Sequence, residues 1–169
     1  MKTFVLGALT GVVVFLLGVA LFLRLGFMET RGDLSPSNFE NSFMTAAVHA
    51  SVRRHAPDMP NPVAPTDDNL IAGGKIFMSD CSGCHGNLQG SGDDSDVLFP
   101  RIPQLHKVGT AYTEAQVFWI AKHGIRRSGM FANGKWRPDK DLWTVAAYIS
   151  RIKSLPPSVQ KALEEPQKK

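Results

Sequence analysis

Cysteine is scarce: the 169 residues hold two, three positions apart. A small secreted domain stapled by disulfides would need more, and a zinc site of four cysteines is excluded by count. Strand patterning is also lacking, because β-branched residues do not fall into alternating runs. No segment repeats another. No basic stripe is interleaved with stacking aromatics, which argues against a nucleic-acid partner. The net charge of +4 and pI near 9.2 suit an acidic protein partner or an anionic membrane surface instead.

Charge is missing from Phe4 to Leu23, a run of twenty residues. As a helix it would span about 30 Å, the thickness of a bilayer core. The rival reading is a cleaved signal peptide with Gly18-Val19-Ala20 at the cleavage site. Leu21, Phe22 and Leu23 continue the apolar run past that site, which favours an uncleaved anchor. Lys2 lies on one side of the run, and Arg24 and Arg31 on the other, so flanking charge does not orient it.

The organisation that follows is a transmembrane anchor over 1–28, a linker over 29–65, a globular domain over 66–155 and a polar, loose C-terminal tail over 156–169. Within the linker, Ser35 as N-cap and Pro36 at the first helical position predict a helix whose apolar face is Phe39, Phe43, Ala47 and Ala50. Arg53, Arg54 and His55 suit its last turn, and Pro57 ends it. Pro57, Pro60, Pro62 and Pro65 predict an extended, semi-rigid spacer. The helix could pack on the domain or lie on the membrane, or serve as a plain spacer.

Three helices are legible in the globular part. The first is capped by Thr66, opens on Asp67 and Asp68, and aligns Leu70, Gly74 and Phe77. The second opens with the capping box Thr113-Glu-Ala-Gln116 and stops at Gly124. The third starts near Asp139 and carries the stripe Leu142, Val145, Ala146, Ile149 and Ile152. So small a core is marginal unless something fills or ties it.

Between the first two helices stands Cys81-Ser-Gly-Cys84-His85. Two thiols on one helical turn followed at once by an imidazole read as covalent haem attachment, with His85 an iron ligand. A thioredoxin-like pair would need a βαβ context that is lacking, and a zinc site could draw only on His106 or His123.

From Leu70 to Leu155 the chain resembles class I c-type cytochromes, specifically the membrane-anchored bacterial single-haem type. The resemblance rests on Gly74-x-x-Phe77-x-x-x-Cys81-x-x-Cys84-His85, then Pro103-x-Leu105, Gly129-Met130, and Leu142-Trp143 with Tyr148. It implies an all-α, cytochrome c-like haem domain behind an N-terminal single-pass transmembrane helix. It implies that Gly74 marks the crossing of the first and last helices, with Tyr148 packed there. It implies that the Pro103 carbonyl, with Pro100 as competitor, accepts the His85 N–H, and that Met130 is the second axial ligand. Phe131 departs from the family's frequent proline at that point, which bears on the stiffness of the loop. Met28, Met44 and Met59 lie outside the domain, Met78 reads as core, and His106 and His123 are rival ligands. The implied activity is electron transfer through one haem c with His/Met ligation, by a carrier rather than an enzyme, in a membrane-bound respiratory chain. The implied place is the inner membrane with the domain in the periplasm. The alternatives are a cytochrome subunit of a larger oxidoreductase complex, a haem gas sensor and a thiol–disulfide enzyme. Lys122, Arg126, Arg127, Lys135, Arg137 and Lys140 around Met130 read either as a docking patch for redox partners or as a solvated face.

Overall fold

The charge-free run is helical throughout, as α1 (Lys2–Arg24), with Arg24 complementing the dipole in its last turn. Gly26, at φ +76°, lets the chain turn back so that the Phe27 N–H meets the Phe22 carbonyl at 3.3 Å, closing the helix end. By length and composition α1 can cross a membrane. The computed structural model describes residues 1–93 and 95–164, in two units that divide at Gly32. Among the described residues there is no β-strand.

The second unit begins with α2 (Asn38–His55). Its N-cap is Ser37 rather than Ser35: Ser37 Oγ accepts the Glu40 N–H at 3.1 Å, and Pro36 lies outside the helix. The cap falls where a hydroxyl reaches the third helical N–H, and Ser37 is the residue in that register. The packed face also differs from expectation. Phe39, Phe43, Ala47 and Ala50 are exposed, while Val52 is 1% exposed. The C-terminal half of the helix docks instead, with the His49 ring stacked on Tyr112 and the His55 ring on Trp119, centroids 5.0 and 6.0 Å apart.

The proline-rich stretch is fastened to the domain by side-chain bonds. Asn61 Nδ2 donates to Glu114 Oε2 at 2.6 Å and to the Trp143 carbonyl at 2.9 Å. Arg151 Nη1 binds the other oxygen of Glu114 at 2.6 Å.

The domain is built from α3 (Asp67–Asp80), two single turns α4 (Ser82–His85) and α5 (Leu105–Val108), then α6 (Glu114–His123), a 3-10 turn (Asn133–Lys135) and α7 (Asp139–Ile149). The caps form as expected: Thr66 Oγ1 accepts the Asn69 N–H at 3.4 Å, and Thr113 and Gln116 close a reciprocal capping box. α7 is buried along Leu142–Ile149, because α3 and α6 both pack against it. Phe77 meets Tyr148 at 5.4 Å, and Phe118 lies flat on Trp143 at 4.1 Å.

The α3–α7 crossing is tightest one residue before the glycine expected there. A Cβ on Gly73 would press into the Thr144 carbonyl oxygen and lie 3.0 Å from Tyr148 Cβ. At Gly74 it would meet Leu163 Cδ1 at 2.6 Å and Tyr148 Cε2 at 3.0 Å. Gly73 admits a backbone and Gly74 admits side chains.

Leu163 belongs to α8 (Pro157–Glu164), in the stretch expected to be loose. Val159 and Leu163, four apart on one face, close over α3, and Val159 is fully buried. Ser158 Oγ donates to Asp67 Oδ2 at 2.5 Å, and Pro157 takes the first helical position. The remainder of the predicted tail, 165–169, lies outside the described residues.

Candidate functional site

Cys81 closes α3, its N–H bonded to the Phe77 carbonyl at 2.9 Å. The next turn, α4, bonds the His85 N–H back to the Cys81 carbonyl at 2.9 Å, so the two cysteines stand on one side of one turn with the imidazole after them. Gly86, at φ +71°, then breaks the helix and sends the chain into a long loop.

That loop folds back on the turn it leaves. The Asp93 N–H reaches the Gly83 carbonyl at 2.8 Å. Gln104 Nε2 donates to the Cys84 carbonyl at 3.0 Å, while its Oε1 accepts the Gly92 N–H at 2.8 Å. A Cβ on Gly92 would lie 2.5 Å from the Gly83 oxygen, so only glycine lets the loop sit this close. Gly92 and Gln104 escaped sequence reasoning, because nothing in a Ser-Gly pair or a lone glutamine signals a contact twelve to twenty residues away.

The loop delivers Pro103, whose carbonyl lies 2.9 Å from His85 Nδ1. A carbonyl only accepts, so Nδ1 carries a proton and Nε2 is the nitrogen left to act as a ligand. Burial holds the His85 imidazole below its ordinary pKa, outweighing the opposite pull of the Pro103 carbonyl. The ring is therefore oriented, with Nε2 the nitrogen left for a metal. Pro100, the competitor, does not hold the ring. Burial pushes the Cys81 thiol up to about 12, with the Asp80 charge adding to it. A thiol in that state is a poor nucleophile, the reverse of what a thiol–disulfide enzyme needs.

Met130 lies beyond α6, in a loop tied by its own backbone. The Ile125 N–H donates to the Met130 carbonyl at 2.9 Å, and the Met130 N–H donates to Ser128 Oγ at 3.1 Å. Ser128 Oγ in turn donates to the Ile125 carbonyl at 2.8 Å. A Cβ on Gly124 would lie 2.6 Å from the Met130 oxygen, so the two strands of the loop touch. Buried Asn133 Nδ2 fastens the far end to the Ala121 carbonyl at 3.0 Å. Arg127 sits in the left-handed region, at φ +62°. Hydrogen bonds thus brace the loop that lacks the proline. Leu98 of the long loop lies beside Gly129, bringing the Pro103 and Met130 loops together.

Of the six cations predicted to form one patch, two are neutralised. Lys122 pairs with Asp139 at 2.8 Å, and Arg137 grips Asp80 through Nε at 2.7 Å and Nη2 at 3.0 Å. Among the described residues, Arg126, Arg127, Lys135 and Lys140 form no ion pair. The Asp80–Arg137 pair was not legible either, although it ties the residue before Cys81 to the segment before α7.

His106 is half-buried, its Nδ1 buried without a hydrogen bond, and His123 is exposed with its ring against Trp119 at 5.2 Å. Trp143 is core, Trp119 packs against α2, and Trp136 is exposed beside Phe131. Among the described residues, no group of three or more His, Cys, Asp and Glu side chains could hold a metal ion by itself. The chemistry of the donor set fits a haem instead: paired thiols, an imidazole held through Nδ1, and a thioether on a nearby loop.

The family described as cytochrome C oxidase, cbb3-type, subunit III matches residues 68–149, just under half of the chain. The match runs from the first turn of α3 to the end of α7, and so contains every residue of the site. No curated protein and no solved structure matches the chain.

Proposed function

We propose that this chain, a c-type cytochrome over residues 68–149, carries single electrons between protein partners at a membrane. The observation that carries the reading is the Cys81–Cys84–His85 turn, with His85 Nδ1 bonded to the Pro103 carbonyl at 2.9 Å. Cys81 and Cys84 would hold one haem c through thioethers, and His85 Nε2 and Met130 Sδ would hold its iron. The bound haem supplies a one-electron Fe(III)/Fe(II) couple, whose potential His/Met ligation raises. The chain's own part is positional. Pro103 fixes the imidazole, Gln104 and Gly92 hold the loop that carries Pro103, and Gly74 and Tyr148 seat α3 against α7 and α8. Two protein ligands leave no position for a substrate, which supports a carrier over an enzyme.

α1 would cross the cytoplasmic membrane once, with the domain in the periplasm. Its length and composition support the span. The side follows from the resemblance, since such haem is attached outside the cytoplasm. The family's description favours a second form of the same reading, in which the chain is the cytochrome subunit of a membrane oxidoreductase complex. The hydrogen-bonded Met130 loop speaks against a gas sensor, and the raised Cys81 thiol against a thiol enzyme.

A pyridine haemochrome assay on the membrane fraction tests the reading, with one haem per chain expected. Normal yield of spectrally intact haem in Cys84→Ala would overturn it. Mild detergent extraction then separates the two forms, because a subunit co-purifies with its complex and a free carrier does not.

A further inference from the structure

α2 is apolar on two opposite sides. Val48 is half-buried and Val52 buried, on a helix that packs against α6. At about 100° per residue, Phe39, Phe43, Ala46, Ala47 and Ala50 fall within an arc of about 100°, centred opposite Val52. This second stripe is bare. Phe39 is 80% and Phe43 63% exposed, with their rings stacked at 6.0 Å. Exposed Arg53 and Arg54 flank its C-terminal end, and Glu40 is the helix's sole acid.

The chain itself restricts what can cover the stripe. Thirteen residues, 25–37, separate α1 from α2. Fully extended they reach about 45 Å. If α1 spans a bilayer, α2 is held within that distance of its surface. The stripe is too small for a stable dimer: two phenylalanines contribute about 200 Å² each at most, against about 800 Å² per partner in a standard interface. Aromatic side chains on one stripe with arginines at its border suit the interfacial layer, where rings enter the headgroup boundary and guanidinium groups meet anionic lipid.

We propose that the Phe39–Phe43 stripe of α2 lies in the interfacial layer of the bilayer that α1 spans. Its opposite face keeps hold of the cytochrome domain, so α2 fixes the domain's orientation on the membrane. The proposal rests on the anchored reading of α1.

The test uses the full-length haem protein in vesicles of phosphatidylethanolamine and phosphatidylglycerol containing lipid brominated in the upper acyl chain. Phe39→Trp should add emission that the brominated lipid quenches roughly twofold or more. Thr45→Trp, on the other side of the helix, should escape quenching. Alkaline carbonate extraction checks the anchor separately. A chain retained in carbonate whose added tryptophan is not quenched overturns the docking and leaves the anchor standing. A chain released by carbonate overturns both. Equal quenching of the two probes overturns the stated orientation. Unquenched but blue-shifted emission that grows with the protein-to-lipid ratio would assign the stripe to a second copy of the chain, also overturning the proposal.

Discussion

Met130 and Gly73 give two separable tests. Thioether sulfur is a neutral, soft donor that favours Fe(II). Met130→Ala should therefore lower the potential and let the reduced protein bind carbon monoxide, which the wild type should resist. Spectroelectrochemistry and a carbon monoxide difference spectrum check this; an unchanged spectrum and potential would make His123→Ala the next variant to measure. At Gly73 the constraint is steric. A methyl group there presses on the Thr144 carbonyl and Tyr148 Cβ, neither of which is a flexible chain end. Overpacking of this kind costs about 3 kcal/mol. Gly73→Ala should thus lower the thermal midpoint more than Gly74→Ala, whose methyl meets the movable end of Leu163. Paired melting curves decide the order, and equal losses would mean that the α3–α7 crossing relaxes more easily than its backbone contact implies.

The elements are held in register by a few polar ties between distant segments. Asp80 and Arg137 join the end of α3 to the start of α7, next to the Cys81–Cys84–His85 turn. Hydrogen bonding to the Arg137 guanidinium holds the Asp80 carboxyl below its ordinary value, outweighing burial. A carboxylate depressed in the folded state contributes stability that is present above its unfolded pKa and is lost as pH falls through the folded one. Asp80→Asn should be less stable than wild type by about 1 kcal/mol at neutral pH. The difference should close under acid, where wild type loses the same contribution. Thermal melts at neutral and strongly acid pH check it, and a gap that stays constant would show that packing rather than charge makes the tie. The Asn61–Glu114–Arg151 knot does the same for the linker, and so α2 belongs to the domain it precedes.

For the whole molecule the question is how a partner finds the site. Arg126, Arg127, Lys135 and Lys140 remain exposed and outside the ion pairs, four of the six cations that the sequence offers around Met130. Exposed charges act mainly on association rate and are screened by salt. Electron-transfer rates with an acidic partner should fall as ionic strength rises, and fall further in an Arg126→Glu, Arg127→Glu double variant. Stopped-flow rates that ignore both salt and charge reversal would identify the patch as a solvated face. Arg137→Glu is the wrong probe, since it also breaks the tie to Asp80.

Most of what depends on spacing along the chain was legible without a structure, although the cap of α2 is Ser37 and not the expected Ser35. The charge-free run, the capping residues at Thr66 and Thr113, the stop at Gly124 and the Cys81–Cys84–His85 turn are local, because helix geometry fixes which neighbours align. Contacts across the chain were decided only by tertiary packing. Which side of α2 meets the domain was open in the sequence, because Phe39 and Ala47 share a period whether or not a partner lies under them, and it is Val52 that is buried. Gly73 and Gly74 are indistinguishable in sequence, and only the path of α7 makes one a backbone crossing and the other a seat for Leu163. The tail read as loose because its few apolar residues are diluted by charge, yet Val159 and Leu163 suffice once α3 offers a surface. Local geometry specified the chemistry of the site, and long-range packing decided which loops, Gln104 and Arg137 among their anchors, hold that chemistry in place.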